Sequence, residues 1–220
     1  MKKLTFEEIR KNPDVKIFLE KVDKYLETLG YTEHGSRHAW IVSNTAKNIL
    51  LQLGYSKEGA ELASIAGYLH DIGCVVNRKD HSQSSAIIVF NLLHGKMPTD
   101  DLIRVITAIG NHHEENSNPA NLISAAVIIA DKADVHKSRV KNRNPTTFDI
   151  HDRVNYATKK SKVIVNKQKR TIRIDLMIDT KTASVMDYFE IFIDRMIASR
   201  KAAAFLKCEL ELYVNNNKLL

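Results

Sequence analysis

The chain has 220 residues, 44% hydrophobic and 27% charged, which predicts one globular domain, or one with a small appendage, rather than a disordered or fibrous protein. The formal net charge is +7, and the positive charge is concentrated in residues 137–173, which contain 12 Lys or Arg and 2 Asp. This cluster predicts either an anionic partner or a solvated basic loop and hairpin. Two distant cysteines, Cys74 and Cys208, argue against a disulfide scaffold and favour a reducing cytoplasm, and the lack of a signal-peptide pattern or of a run of about 18 apolar residues predicts no membrane association.

Helical periodicity dominates the first 160 residues. Ser36 and Ser56 are predicted N-caps, and a glycine is well placed to stop each of the first four helices. The sixth helix is apolar all round in its middle, which predicts a central, buried helix, and Trp40 is expected in the core. The predicted helices are 14–29 before Gly30, 36–53 before Gly54, 56–73 ending at Gly73, 81–94 before Gly95, 99–113 and 121–137.

The pattern changes after the sixth helix. A polar loop over 138–149 and a short helix over 150–159 precede residues that alternate between apolar and polar, which predicts a β-hairpin turning near 166–169. A long helix over 182–206 follows, and the alternating end of the chain could add a third strand. The predicted fold is therefore mainly α, a helical bundle with a small C-terminal α+β extension, divided into 1–33 (an N-terminal helical segment), 34–158 (the helical domain) and 159–220 (the α+β subdomain).

Polar residues that commonly bind metals recur at the ends of the predicted helices. Antiparallel packing would bring alternate helix ends together, so several of these groups could converge. Buried unpaired they would cost several kcal/mol, whereas coordination would satisfy them. Imidazole and carboxylate suit Zn, Fe, Mn and similar ions, and the lack of cysteine ligands argues against a structural zinc site. The candidates are His38, His70, Asp71, His81, His112, His113 and Asp131.

Three segments resemble the motifs of the HD-domain superfamily of metal-dependent phosphohydrolases over residues 34–140. They are RHAWIVSNTA with His38, GYLHDIG with His70 and Asp71, and IIADKADV with Asp131. The resemblance implies an HD-domain helical bundle with these four residues as metal ligands. His81, His112 and His113 resemble the added ligands of the two-metal branch, which includes diadenosine polyphosphate hydrolases and HD-GYP phosphodiesterases. The GYP segment is absent, because NHHEENSNPA continues differently, so cyclic-di-GMP activity loses support.

The resemblance implies hydrolysis of a phosphate ester or anhydride, with a nucleotide as the expected substrate, by water activated on one or two divalent ions (Fe, Mn, Zn, Co or Ni, with Mg also allowed). Asp71 and Lys132 are the predicted catalytic residues. Asp71 could bridge two ions, and Lys132 could contact a substrate phosphate or hold Asp131. Further phosphate contacts are predicted for Arg139, Lys141 and Arg143.

Less specific interpretations stand beside these predictions. The ligand candidates could be unrelated core or capping residues, His81 could merely follow a cap at Asp80, and Glu114 could be a solvated helix end or could orient a water. Surface or structural roles are expected for His34, His94, His136 and His151, although His34 is close enough to line the site. The alternative function is a non-catalytic HD-type regulatory protein that binds a nucleotide or RNA, which the basic stretch favours. An oligomeric scaffold rests on exposed strand edges and leaves a homodimer open.

Overall fold

The computed structural model describes residues 4–113 and 118–220, so Glu114 lies outside the described residues. The described part of the chain is mainly helical, with a C-terminal four-stranded sheet, which confirms the predicted fold class. Short 3-10 helices cover Ile72–Val75, Lys137–Arg139 and Pro145–Thr147. The other elements are α1 (Phe6–Lys11), α2 (Pro13–Thr28), α3 (Ser36–Leu53), α4 (Lys57–Leu69), α5 (His81–Leu93), α6 (Thr99–Gly110), α7 (Leu122–Lys132), α8 (Ile150–Ala157), β1 (Thr158–Asn166), β2 (Thr171–Ile178), α9 (Val185–Phe205), β3 (Glu209–Val214) and β4 (Asn217–Lys218).

Local hydrogen bonds explain where the helices begin. Ser56 caps α4 as predicted, because its hydroxyl accepts from the backbone N–H of Gly59. The predicted cap at Ser36 is wrong, since Ser36 is already the first residue of α3. The carboxylate of Glu33 takes that role by accepting from the backbone N–H groups of Gly35, at 2.8 Å, and His38, at 3.3 Å. A side chain that precedes the helix therefore orders the turn that carries His38.

The predicted role of Gly73 as the stop of the third helix is also wrong. Helix α4 ends at Leu69, and Gly73 lies inside the following 3-10 helix. A Cβ on Gly73 would lie 2.2 Å from the backbone nitrogen of Ser85 and 2.5 Å from the backbone oxygen of His81. Glycine is therefore required by the close approach of this turn to α5, which brings the turn after α4 against the start of α5.

Two predicted helices end earlier than their sequences suggested. Helix α6 ends at Gly110 rather than near residue 113, because the side chain of His112 donates to the carbonyl of Ile109. Helix α7 ends at Lys132 rather than 137, and the hydroxyl of Ser161 in β1 donates to the carbonyl of Ala133. In both cases a side chain satisfies a carbonyl that a longer helix would have used.

Helix α7 lies at the centre of the molecule, as its apolar sequence predicted, and residues 123–132 are all buried. It packs against α3, α4, α6 and α9, so the C-terminal helix shares one continuous core with the helical body. Trp40 is not in that core, because it is 44% exposed beside Phe6 and Arg10. Within the described ranges, no helix is both long and apolar enough to cross a bilayer.

The sheet has the order β1-β2-β3-β4. The predicted hairpin is antiparallel, with Val163 opposite Ile174, and the chain turns between Asn166 and Thr171. Helix α9 connects β2 to β3, which are parallel, with Ile174 beside Leu212. The final strand is therefore present, and the short β4 is added to it. The alternating apolar residues of β2 and β3 are buried, which holds the sheet against the helices.

Candidate metal centre

Six of the seven residues predicted as metal ligands meet at one place, where the ends of five helices converge. His38 comes from the first turn of α3, His81 begins α5, and Asp131 lies in the last turn of α7. His70 and Asp71 directly follow α4, and His112 follows α6 by two residues. Their nitrogen and oxygen atoms form groups in which all donors lie within 4.8 Å of one another. These clusters are all buried, so packing brings six groups together that water does not solvate.

Each of the four histidines in the cluster points Nδ1 at a hydrogen-bond acceptor. His38 Nδ1 lies 2.7 Å from a carboxylate oxygen of Asp134. The other three rings each bond the backbone carbonyl three residues earlier, at 2.8 Å for His70 to Gly67, 2.8 Å for His81 to Arg78 and 2.6 Å for His112 to Ile109. Because carbonyl and carboxylate oxygens only accept, each ring carries a proton on Nδ1 and turns Nε2 toward the cluster.

The Nε2 atoms then face one another in pairs. The distance is 3.2 Å between His38 and His70, and again 3.2 Å between His81 and His112. Two lone pairs at hydrogen-bonding distance repel unless a proton or a metal ion lies between them. Each facing pair of nitrogens therefore needs a positive charge between its members, and a divalent cation can supply that charge.

The first donor group consists of His38, His70, Asp71 and Asp131. His38 Nε2 lies 3.3 Å from Asp131 Oδ1 and 3.7 Å from Asp71 Oδ2. His70 Nε2 lies 3.6 Å and 3.4 Å from the same two oxygens. Ligands placed tetrahedrally at about 2.1 Å from an ion are about 3.4 Å apart. The spacings of the first group therefore match those of a small divalent ion at its centre.

The second donor group uses the other oxygen of Asp71. Asp71 Oδ1 lies 3.2 Å from His81 Nε2 and 3.5 Å from His112 Nε2, so the carboxylate of Asp71 is shared between the two groups. A cation of the protein already reaches this group, because Arg78 Nη1 lies 2.8 Å from His81 Nε2 and 3.9 Å from Asp71 Oδ1. In the first group Lys132 contacts the outer oxygen of Asp131, so the four donor atoms that face one another remain available, whereas in the second group Arg78 lies against one of the three donors.

The charges of the metal-free cluster follow from its burial. Burial lowers the pKa of His70, but Asp71 and Asp131 raise it to about 10, so His70 holds a proton in the place of a metal. Burial also raises the pKa of Asp71, yet His70, His112 and His81 hold it well below its usual range. The pKa of His112 is lowered to about 4 by burial. The metal-free centre thus contains ionised carboxylates and a neutral His112, which are ligand forms that a metal binds, and a protonated His70, which must lose a proton first.

Two further residues orient the ligands. Lys132 Nζ lies 2.5 Å from Asp131 Oδ2, which leaves Oδ1 of that carboxylate facing the histidines. Asp134 receives His38 Nδ1 and also a pair of hydrogen bonds from Arg37, at 2.9 and 3.1 Å. Asp134 was not among the predicted ligands. Its contact with His38 spans 96 residues, which no local pattern reveals.

A cavity of about 230 Å³ adjoins the cluster. Its wall includes His34 and Arg78, and the rings of His34 and His38 pack with their centroids 5.5 Å apart. Burial and the charge of Arg139 hold the pKa of His34 well below its usual range, so the ring is neutral. The remaining wall is Leu29, Gly30, Tyr31, Thr32, Asp149, His151 and Arg195.

The cavity adds residues to the predicted site. Arg78 and Arg195 were not predicted, whereas His151 is exposed, as expected, and also lines the cavity. Arg78 could have been found from the sequence, because it is a basic residue in the short loop between Asp71 and His81. Arg195 lies on α9, far along the chain, so its place beside the site could not be predicted from a local pattern. Larger cavities of about 360 and 790 Å³ lie elsewhere and, like this one, are lined by none of the cluster's ligands; the contacts of His34 with His38 and of Arg78 with His81 connect the smaller cavity to the cluster. The chemistry of the cluster, rather than cavity size, identifies the site.

Other predicted residues have different surroundings. His113 packs against the ring of His81, with centroids 4.9 Å apart, and is outside the donor groups found among the described residues. Arg139 is buried and donates to the backbone carbonyls of Glu33 and Asp134. Lys141 pairs with Asp23 at 2.7 Å, and Arg143 is exposed. Phosphate binding by these three basic residues stays a prediction, and the geometry gives two of them partners within the protein.

Cys74 is a donor that sequence reasoning set aside. Its sulfur groups with Asp71 and His81, and Arg78 Nη1 lies 3.7 Å from it. Burial, together with the charge of Asp71, raises the pKa of the Cys74 thiol. Because the thiolate is the form that binds metal, the histidines and carboxylates remain the better ligands.

Comparisons with known proteins agree with the motif reading. A family model described as "HD domain" matches residues 35–137, the range that contains all six clustered ligands. The chain is also similar to "Uncharacterized protein MJ1020" of Methanocaldococcus jannaschii, with 26% identity over 204 aligned residues that cover 81% of this chain and 78% of that protein. The name of that relative assigns no activity, so the inference of function rests on the family match and on the geometry of the site.

Proposed function

Because the chain belongs to the HD-domain superfamily through residues 35–137, we propose that it is a metal-dependent phosphohydrolase that cleaves a phosphate ester or anhydride of a small molecule of the nucleotide class. The observation that carries the proposal is the pair of facing Nε2 atoms at 3.2 Å in His38 and His70, with Asp71 and Asp131 beside them. A merely structural histidine cluster would not need to turn all four Nε2 atoms inward as two facing pairs beside a shared carboxylate.

A divalent ion bound there would supply hydroxide near neutral pH and positive charge opposite the phosphoryl oxygens. The chain's own residues prepare the place for it. Asp134 and the carbonyl of Gly67 hold the rings of His38 and His70 in the required tautomer. Lys132 holds the outer oxygen of Asp131, so it acts as a positioning residue rather than as a direct phosphate ligand.

The cavity beside the cluster supports a phosphorylated substrate. Arg78 and Arg195 can each bind phosphate oxygens through two N–H groups, and His151 adds a donor. His34 is neutral, and its Nδ1–H donates to the carbonyl of Thr32, which leaves Nε2 to accept a hydrogen bond from a substrate hydroxyl or water. Tyr31 is 44% exposed in the same wall and offers a ring against which a nucleobase can stack.

We assign one ion to the first donor group. The second group, formed by Asp71 Oδ1, His81 and His112, can take a second ion only when the guanidinium of Arg78 leaves His81 Nε2. The positive charge of Arg78 is then available to substrate phosphate. The number of bound ions is therefore tied to the position of Arg78.

The test combines metal analysis with a hydrolysis screen. We expect about one ion per chain after loading with Mn²⁺, Fe²⁺ or Zn²⁺, and turnover of at least one substrate among p-nitrophenyl phosphate, bis-p-nitrophenyl phosphate and the nucleoside mono-, di- and triphosphates. Asp71→Asn should lower that turnover by about 10³-fold, because Asp71 is shared by both donor groups. Asp101→Asn is the matched control, since Asp101 is also a buried Asp, pairs with Arg104 at 3.3 Å and lies outside the cluster.

The proposal fails if the loaded protein holds no stoichiometric metal, or if Asp71→Asn leaves every measured hydrolysis unchanged. The alternative is a non-catalytic HD-type regulator that binds a nucleotide or RNA, and the basic segment 137–173 favours it. Salt-dependent RNA binding by a metal-loaded protein with no turnover in the screen would support that alternative.

A further inference from the structure

Helix α9 has one face packed into the core and another that the described part of the chain leaves exposed. Tyr188, Phe192 and Met196 are on the buried face. The exposed face carries a row of residues that are alternately four and three positions apart, which is the spacing of a helix-packing seam. We call this row the α9 stripe. Its members are Met186, Glu190, Ile193, Ile197, Arg200 and Ala204, all of them exposed.

The middle of the α9 stripe is apolar. Ile193 is 47% exposed and Ile197 is 39% exposed, and Met186 near the start of the helix is 74% exposed. A single exposed apolar side chain is ordinary in a globular protein. Three in one row run against the usual amphipathic pattern, in which the face away from the core is polar. The α9 stripe is therefore a candidate for burial against another surface.

The order of residues along the stripe is complementary to its own reverse. A two-fold axis perpendicular to α9 at the level of Arg195 exchanges each position with the one at the same distance on the other side. Two copies of α9 packed antiparallel about this axis therefore place an acid opposite a base and a large side chain opposite a small one, each of them twice. The facing pairs are Ile193 with Ile197, Glu190 with Arg200, and Met186 with Ala204.

The charges of the stripe have no partner in their own helix. None of the residues three or four positions from Glu190 is basic, and none of those around Arg200 is acidic. Neither side chain forms an ion pair or hydrogen bond with the part of the chain that the structure describes. An acid near the start of a helix and a base near its end also suit the helix dipole. The dipole does not, however, require the two charges to lie in one row at equal distances from its centre.

Helix α5 provides a contrast. Ile87 is 65% exposed and Phe90 is 41% exposed, so this helix also presents apolar surface. Helix α5 contains no Asp, Glu, Lys or Arg, and its exposed face therefore has no charge pattern that specifies a partner. Charge complementarity distinguishes the α9 stripe from apolar surface alone.

The stripe lies away from the metal centre. Arg195 lines the cavity beside the donor cluster. Ile193 and Ile197 are each two residues from Arg195, which is about 200° around the helix, so the stripe and Arg195 are on opposite sides of α9. A partner on the stripe would therefore leave that cavity open.

We propose that a second copy of this chain covers the α9 stripe, so that the protein is a homodimer whose two α9 helices pack antiparallel about a two-fold axis. The isoleucines of both copies exclude water at the centre, and Glu190 of each copy pairs with Arg200 of the other. The seam from Met186 to Ala204 is about 27 Å long, at a rise of about 1.5 Å per residue. The dimer needs neither the metal nor its ligands, so it does not rest on the proposed hydrolysis.

Sedimentation velocity of the full chain, from low micromolar to about 200 μM, measures the dimer dissociation constant. We expect the mass to rise with concentration from 25.0 kDa towards twice that value. Glu190→Arg and Arg200→Glu should each raise the dissociation constant at least tenfold, because each change places like charges opposite each other twice. A chain that stays monomeric over the whole range, or a dimer that neither variant weakens, would overturn the proposal.

A mixture of the two single variants tests the facing pairs directly. An equimolar mixture of Glu190→Arg and Arg200→Glu chains should recover the dimer, because every base of one chain then faces an acid of the other. The helix dipole predicts no recovery, so a mixture that stays as weak as its components would refute the antiparallel pairing.

The apolar centre is tested separately. Ile193→Asp/Ile197→Asp should raise the dissociation constant at least tenfold with the helical circular dichroism retained, since both positions are exposed. The matched control is Ile87→Asp, the same change at an exposed isoleucine of α5, which should leave the constant within twofold. An equal loss in the control would place the interface elsewhere, and the proposal would be wrong.

Discussion

Asp134→Asn tests whether a hydrogen bond outside the donor cluster prepares His38 for metal. Asp134 Oδ2 accepts from His38 Nδ1 at 2.7 Å and from Arg37 Nη1 at 2.9 Å, and Oδ1 accepts from Arg37 Nη2 at 3.1 Å. Burial raises the pKa of Asp134, yet His38, Arg139 and Arg37 hold it well below its usual range, so the group is ionised at neutral pH. An asparagine has one acceptor oxygen and one donor nitrogen, so it must present an N–H either to His38 or to Arg37.

The magnitude follows from the contacts that the amide cannot make. Loss of a residue that orients a metal-bound histidine lowers metal affinity by about 10–100-fold, which corresponds to roughly 1.4–2.8 kcal/mol. The lost charged hydrogen bond should also lower the free energy of unfolding by about 1.5–3 kcal/mol. In a chain of this size, each kcal/mol lowers Tm by about 2–4 °C, so we expect a decrease of roughly 3–12 °C.

The affinity is measured by competition with a chromogenic chelator for Zn²⁺ or Mn²⁺ at constant pH, and Tm is measured by circular dichroism on the metal-free protein. Asp101→Asn is again the control, because it changes a buried Asp to Asn on α6 outside the cluster. The reasoning is refuted if folded Asp134→Asn binds metal within twofold of the unmodified chain. It is also refuted if Asp101→Asn loses as much metal affinity, because the effect would then not pass through His38.

Three further predictions concern the cluster and its support. The pKa of His70 is raised to about 10, so this ring is protonated at pH 7 and must lose a proton to bind metal. Calorimetry in two buffers of different ionisation enthalpy should show that metal binding releases about one proton, and the metal affinity should rise about tenfold per pH unit from pH 7 to 9. Metal binding without proton release would contradict this prediction. Arg78→Ala should raise the metal content from one to two ions per chain in elemental analysis, because the guanidinium no longer occupies His81 Nε2, and an unchanged content of one would exclude competition by Arg78. Gly73→Ala should lower the free energy of unfolding by about 1–3 kcal/mol or more, because the new Cβ would lie 2.2 Å from a backbone atom. In the control Gly59→Ala in α4, the nearest atom to the new Cβ is a hydroxyl oxygen at 3.3 Å, so the free energy of unfolding should change by less than about 1 kcal/mol. Equal denaturation midpoints for the two variants would contradict the prediction.

Much of the fold was predictable because its causes are local. The N-cap at Ser56, the capping glycines and the alternation in β2 act within a few residues of their position. The wrongly predicted helix ends also have a local cause, which is a side-chain hydrogen bond that the hydrophobic periodicity does not show. Helix α4 ends before Gly73, and α6 ends before His112, because side-chain imidazoles take the last carbonyls of both helices.

Sequence alone determined the kind of site, because the residue types and their places at helix ends indicated metal ligation before any packing was known. It also determined the mixed architecture, since a period of 3.6 gives way to a period of two along the chain. Tertiary structure decided the rest. That Asp71 is shared by two donor groups, that Asp134 holds His38 across 96 residues, and that Arg78 reaches His81 all depend on how the helices pack. Contacts of this kind are absent from any local pattern, because the free energy that selects them comes from burying the whole core at once.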